Sequence, residues 1–138
     1  MTLQWHKEST PRWDEAKQRI VAGAAPGTFD VRYKTLEVGQ LVPGTWWRVD
    51  DDGRTVGYGW LDVVWGDAEI LLATDTELRG QGVGSFVLEH LEAEAHGLGL
   101  NRLYNIVRPT HPEGEKVTRW LTKRGFVASE DGSLFKQV

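Results

Sequence analysis

The stretch that most limits how this chain can fold is Ile70 to Ser85, ILLATDTELRGQGVGS. An apolar run, Ile70 to Ala73, ends at Thr74, and a short polar connection follows. Gly80, Gly82 and Gly84 then stand at alternate positions and open into a helical pattern. The order is strand, glycine loop, helix N-terminus. Glycine lacks a Cβ, so a ligand can approach the main chain, and the first helical turn adds unpaired N–H donors and the positive end of its dipole. An anion belongs in such a concavity, most of all a phosphate or pyrophosphate, and Arg79 at its mouth adds a planar donor fork. The other reading of a glycine motif, a turn that packs a helix close to a sheet, stays open at this point.

Spacing excludes two familiar phosphate motifs. A P-loop needs a Lys after its last glycine, and none follows Gly84. The dinucleotide fingerprint is G-x-G-x-x-G, whereas here the run is G-x-G-x-G. Net charge is -4, with only Lys116 to Arg124 moderately basic, which speaks against nucleic acid as a partner. At 138 residues the chain fits one domain, 1–138. It has no Cys, hence no disulfide, thiolate metal site or cysteine nucleophile. No secretory signal and no run near the ~18 apolar residues of a membrane span can be seen, so a cytoplasmic protein without a membrane partner is expected.

In chain order, Thr2 to Lys7 reads as a first strand. Ser9-Thr10-Pro11 reads as a helix start, with Trp13, Ala16, Ile20 and Val21 at helical spacing up to about Ala22. Residues 29–42 fit a strand (Phe29, Val31, Tyr33) or a short helix (Leu36, Gln40, Leu41) equally. Thr45 to Val49 and Thr55 to Trp65 are strands about an Asp-Asp-Asp-Gly turn, and after Gly66-Asp67 comes Ala68 to Thr74. Gly57 and Gly59 within a strand point to close packing against a helix. Val83 to Leu98 is an amphipathic helix, with Val83, Phe86, Val87, Leu91, Ala95 and Leu98 inward. Arg102 to Val107 is a strand reached by a parallel crossover, Lys116 to Arg124 a helix, and Phe126 to Ser129 with Ser133 to Gln137 a closing hairpin.

The run Leu72-Ala73-x-Asp75-x-x-x-Arg79-Gly80-x-Gly82-x-Gly84 resembles the acyl-CoA pyrophosphate loop of the GNAT superfamily of acyl-CoA-dependent N-acyltransferases. Thr74 and Thr76 replace the usual Val and Pro. Trp120, Gly125 and Phe126 resemble a second signature at a helix end, with Leu121 where many members carry Tyr and Gly114 where many carry Asn. The resemblance covers roughly residues 45–138. It implies an α/β (α+β) GNAT fold: a mixed, mostly antiparallel twisted sheet of six to seven strands flanked by about four helices, splayed between the strands before and after the central helix.

It further implies acetyl-CoA as co-substrate, bound by Leu72, Ala73, Thr74, Arg79, Gly80, Gln81, Gly82, Val83, Gly84, Ser85 and Asn105, with no metal. The acetyl group would pass directly to a primary amine, small molecule or peptide, in a ternary complex, and a homodimer stays open. A main-chain N–H near Leu72 to Thr74 would polarise the thioester oxygen. An amine with pKa near ~10.4 needs a base at neutral pH. Glu69 is the first candidate, though a solvent-facing carboxylate is an equal reading, and Asp62 and Asp67 are weaker. His111, in a loop the pattern does not place, is a further base candidate by the ordinary pKa of imidazole. Tyr104, Tyr58 or His111 could serve as an acid in place of the missing Tyr, or no acid is used. Trp46, Trp47, Tyr58 and Trp60 could line the acceptor pocket or pack the core. The alternative is a catalytically degenerate acyl-CoA-binding sensor or partner subunit.

Overall fold

The computed structural model describes residues 2–138. Seven strands form one sheet in the order β1-β2-β3-β4-β5-β7-β6: β1 Leu3–Lys7, β2 Thr45–Asp51, β3 Arg54–Val64, β4 Asp67–Thr74, β5 Arg102–Asn105, β6 Val127–Ala128 and β7 Leu134–Gln137. All pairings are antiparallel except β4 with β5. The helices are α1 Glu15–Lys17, which continues as a π-helical turn Gln18–Ala22, then α2 Val83–Gly97 and α3 Gly114–Lys123. Short 3-10 turns lie at Val31–Lys34 and Thr76–Leu78. The expected mixed, mostly antiparallel GNAT sheet is thus observed.

Two apolar layers enclose the sheet. On one face α2 and α3 bury Ile70, Val83, Val87, Leu91, Leu103 and Leu121. On the other, α1 and the segment after it bury Trp13, Ile20, Tyr33, Trp46, Tyr58 and Leu71. Gly57 and Gly59 face α2. A Cβ on Gly57 would come within 2.9 Å of Val83 Cγ1, and one on Gly59 within 3.0 Å of Val87 Cγ1, both closer than real Cβ contacts comfortably allow. Packing against α2 thus requires these glycines, as the sequence suggested, together with the Trp5 ring at 2.7 Å from a Gly59 Cβ and the Ala73 carbonyl at 2.9 Å from a Gly57 one.

Several boundaries differ from expectation. The first helix is capped by Asp14, whose side chain accepts from the Lys17 N–H at 2.7 Å, and Ser9-Thr10-Pro11 precede it as irregular chain. Within residues 29–42 the 3-10 turn forms, capped by Asp30, and Leu41 makes an isolated antiparallel bridge with Arg12. Trp65 leaves β3 for the turn, with φ of 53° beside Gly66, and its side chain is exposed. Leu98 lies past the end of α2 and is exposed, while Leu88 takes the inward place. The fully buried Lys17 was not foreseen. Its Nζ sits 2.7 Å from Glu8 and 3.3 Å from Asp14, donates to the Arg12 carbonyl at 2.8 Å, and lies over the Trp46 and Tyr58 rings. This cluster ties the end of β1 to α1 and the sheet.

Candidate active site

The decisive geometry is where β4 and β5 part. They pair only at Asp67 with Arg102, Ala68 with Leu103 and Glu69 with Tyr104. One residue further, the Asn105 side chain donates to the Ile70 carbonyl at 3.0 Å. That bond shows that Ile70 turns its main-chain polar groups toward β5. By the period of a strand, Leu72 and Thr74 turn theirs the same way, into a gap that no strand fills. Unpaired main-chain groups at such a gap are a ready template for an extended, amide-bearing ligand.

Beyond the gap lies the glycine loop. Asp75 is buried, caps the 3-10 turn through the Glu77 N–H at 3.0 Å, and pairs with Arg19 from the π-helical turn and with Arg54 at 3.4 Å. The loop is thereby anchored at its start. Gly80 and Gly82 have φ of 80° and 88°, the left-handed region where L side chains are strained, and a Cβ on either would meet nothing within 4 Å. Gly82 caps α2 without a side-chain hydrogen bond. Among the described residues, the N–H groups of Gly82, Val83, Gly84 and Ser85 find no acceptor, so four donors and the helix dipole face open space.

A cavity of about 800 Å³ runs along these features. Leu72, Ala73, Thr74, Arg79, Gly80, Gly82, Val83, Gly84, Ser85 and Asn105 all line it; Gln81 does not. Two cationic contributors the loop motif does not contain are Lys116 on α3 and Arg124 at its C-cap. Arg124 donates to Ser85 Oγ at 2.8 Å and lies 4.1 Å above the Trp120 ring, which presents it to the loop. Arg79 is paired with Glu113, whose carboxyl it holds below the usual carboxylate range.

At the other end the cavity is lined by Glu69, Trp60, Phe29 and Tyr33. Burial, followed by the neighbouring Asp62 charge, raises the Glu69 pKa above 4.5, the direction a base needs. Tyr104 lies beside Glu69 in register and does not line the cavity; burial, then Glu69, raises its pKa. His111 lines the cavity, and its Nδ1 accepts the Glu113 N–H at 2.9 Å, so the neutral ring carries its proton on Nε2.

Of the four aromatic residues considered for the acceptor wall, Trp60 alone reaches the cavity. It is fixed by donating to the Pro43 carbonyl at 3.0 Å, an oxygen that also accepts from Trp46 at 2.9 Å. Trp46 and Tyr58 are buried behind it. Trp47 falls on the opposite face, stacked on Trp5 at 5.5 Å, because neighbouring strand residues alternate sides. Phe29 and Tyr33, from the segment the sequence left ambiguous, take the expected place instead.

The profile of the acetyltransferase (GNAT) family matches residues 3–130. The chain belongs to that family. Membership places it among the acyltransferases. Solved structures agree on the fold. A ribosomal-protein alanine N-acetyltransferase from Escherichia coli superposes with a TM-score of 0.65 at 18% identity, over 97% of this chain and 91% of that one. A protein of the GNAT family from Desulfovibrio desulfuricans gives 0.69 at 13% identity, over 97% and 95%. A PaiA N-acetyltransferase from Thermoplasma acidophilum, solved with coenzyme A, gives 0.57 at 17% identity; the match spans 67% of this GNAT chain and 60% of the other. No curated protein matches the sequence. Among the described residues, no helix is long and apolar enough to cross a membrane.

Proposed function

We propose that this GNAT protein transfers acetyl from acetyl-CoA to a primary amine by direct attack in a ternary complex. The observation that carries the reading is the coincidence, in one cavity, of a splayed strand pair and four bare amides at a helix N-terminus. A diphosphate suits the amides of Gly82 to Ser85, with Arg79, Lys116 and Arg124 around it. The pantetheine arm suits the open edge of β4, where the Leu72 and Thr74 main chain would hydrogen-bond it. An N–H at that edge stands where charge develops on a thioester oxygen.

Glu69 is the proposed base, acting on the acceptor ammonium directly or through one water. The buried, apolar Leu121 offers no proton at the position where many relatives carry Tyr. A thiolate of conjugate pKa near ~8.5 leaves without one, and His111 is a ring donor on the cavity wall.

The test is release of free thiol from acetyl-CoA across classes of amine, repeated with Glu69→Gln and Arg79→Ala. Glu69→Gln should cut turnover on the order of a hundredfold or more while CoA binding persists, and Arg79→Ala should weaken CoA binding. CoA binding with no thiol release for any amine would leave a CoA-binding sensor as the better reading.

A further inference from the structure

The acceptor end of the cavity holds two arginines in different states. Arg108 donates to Asp30 at 3.0 Å and is neutralised where it stands. Arg32, exposed on the 3-10 turn, lines the same cavity; among the described residues no carboxylate lies within ion-pair distance of its guanidinium, although Asp30 and Glu69 both act on it from further away. Its contacts are the Tyr33 hydroxyl at 3.3 Å and the Tyr33 ring at 5.1 Å. A planar fork facing a cavity, with an aromatic ring fixing it from one side, is matched by an oxyanion that can take two parallel bonds.

The location separates this group from the diphosphate. Glu69 lies five residues before Thr74 on β4, roughly 17 Å along the strand from the start of the glycine loop. Arg32 and Arg108 act on Glu69, both lowering its pKa against the effect of burial, so they share its end of the cavity. A simple monoamine or polyamine entering there as a cation would meet Glu69 but leave Arg32 without an anionic ligand. A molecule with both an ammonium and an oxyanion satisfies both groups at once, and Phe29, Tyr33 and Trp60 offer its remaining atoms an apolar wall.

We infer that the acceptor is a small amino acid-like molecule, an amine carrying a carboxylate or phosphonate a few bonds away, held through that oxyanion by Arg32. This rests on the transferase reading above. It assigns Arg32 to acceptor recognition and Glu69 to the amine, and it disfavours polyamines and protein N-termini, whose amines lack a nearby oxyanion.

The test uses matched series at saturating acetyl-CoA: phenylalanine, its phosphonate analogue, phenylalaninamide and phenethylamine, and the corresponding leucine set. Thiol release gives kcat/KM for each, and calorimetry gives the binding of every member to the CoA-loaded protein. The acid members should exceed their neutral counterparts about tenfold or more, the scale of a charge-assisted bidentate pair. Arg32→Ala should bring that ratio near one through KM, and Arg32→Lys should recover part of it. The phosphonate and carboxylate arms tell which oxyanion the fork prefers. Neutral amines used as well as acids would overturn the inference while leaving the transferase reading intact. Acid-selective binding that Arg32→Ala abolishes, but without turnover of any member, would uphold Arg32 as an oxyanion site and count against transfer. Neither turnover nor acid-selective binding would overturn the inference, the transferase reading being decided by the wider amine screen.

Discussion

Asn105 donates its side-chain amide to the Ile70 carbonyl at 3.0 Å, one residue beyond the last backbone pairing of β4 and β5. The bond spans the point where two parallel neighbours begin to diverge, and it satisfies the first carbonyl the missing ladder would have orphaned. Asn105→Leu keeps the volume and removes the donor. Stability should fall by about 1 kcal/mol in urea titrations, and the KM for acetyl-CoA should rise severalfold as the edge of β4 relaxes. Unchanged values for both would mean that the divergence is held by packing alone.

Gly82 separates two effects. Any side chain there meets a left-handed backbone, at a cost of about 1–2 kcal/mol, but no neighbour within 4 Å, so variants should fold. Gly82→Ala should lower the melting temperature and weaken CoA modestly. Gly82→Trp should abolish measurable CoA binding by calorimetry, because the indole fills the space the bare amides face. Equal CoA affinity in the Trp variant would place the diphosphate elsewhere.

Arg79 is already engaged. Its pairing with Glu113 means that an incoming diphosphate competes for the guanidinium or must share it. Glu113→Gln removes the competitor, and CoA affinity should improve by about threefold at low ionic strength, with the gain fading as salt screens the site. Titrations at two salt concentrations read this directly.

Glu69 links catalysis to pH with a definite sign. As a base it works ionised, so kcat/KM should rise with pH through its folded pKa, which burial and Asp62 lift above 4.5. Asp62→Asn removes the like charge and should move that limb to lower pH. A carboxyl whose pKa is raised by folding contributes stability below its unfolded pKa and loses it as pH rises through the folded value. Glu69→Gln should therefore make the protein slightly more stable at neutral pH while removing the pH-dependent limb.

Lys17 tests the other half of the molecule. Its side chain is 0% exposed and relies on Glu8, Asp14 and one carbonyl. Glu8→Ala leaves a buried charge short of its nearest partner and should cost about 3 kcal/mol in chemical denaturation. Lys17→Met replaces the ammonium with an apolar chain of similar length and should cost less.

The meander and the donor loop were legible because their signals are local. Alternation in 45–74, the Asp-Asp-Asp-Gly turn and a glycine run before an amphipathic helix each act within a few residues. The family signature added the splay, which periodicity cannot express. What the sequence hid depends on partners far apart in it. Lys17 reads as an ordinary helix cation until Glu8, Trp46 and Tyr58 are brought around it. Phe29 and Tyr33 could not be assigned to the acceptor wall while 29–42 lacked a periodicity of its own, since this segment is shaped by Trp13 and the sheet beneath it. Strand alternation sets the neighbours Trp46 and Trp47 on opposite faces, so both could not line one pocket, but it could not say which face carries the cavity. Asp75 stands in the sequence only as one position of the loop motif, and its grip on Arg19 and Arg54 appears only in three dimensions.

Gly57 and Gly59 touch no proposed ligand, yet they set how near the start of α2 lies to β3. One added methyl at Gly57 would press on Val83 and push the anion-gripping end of that helix outward, and one at Gly59 would crowd Val87 and Leu91 in its middle turns. Loss of cofactor grip in this protein can thus arise from steric crowding beneath the sheet's central strands, and a survey restricted to cavity-facing positions would overlook the substitutions responsible.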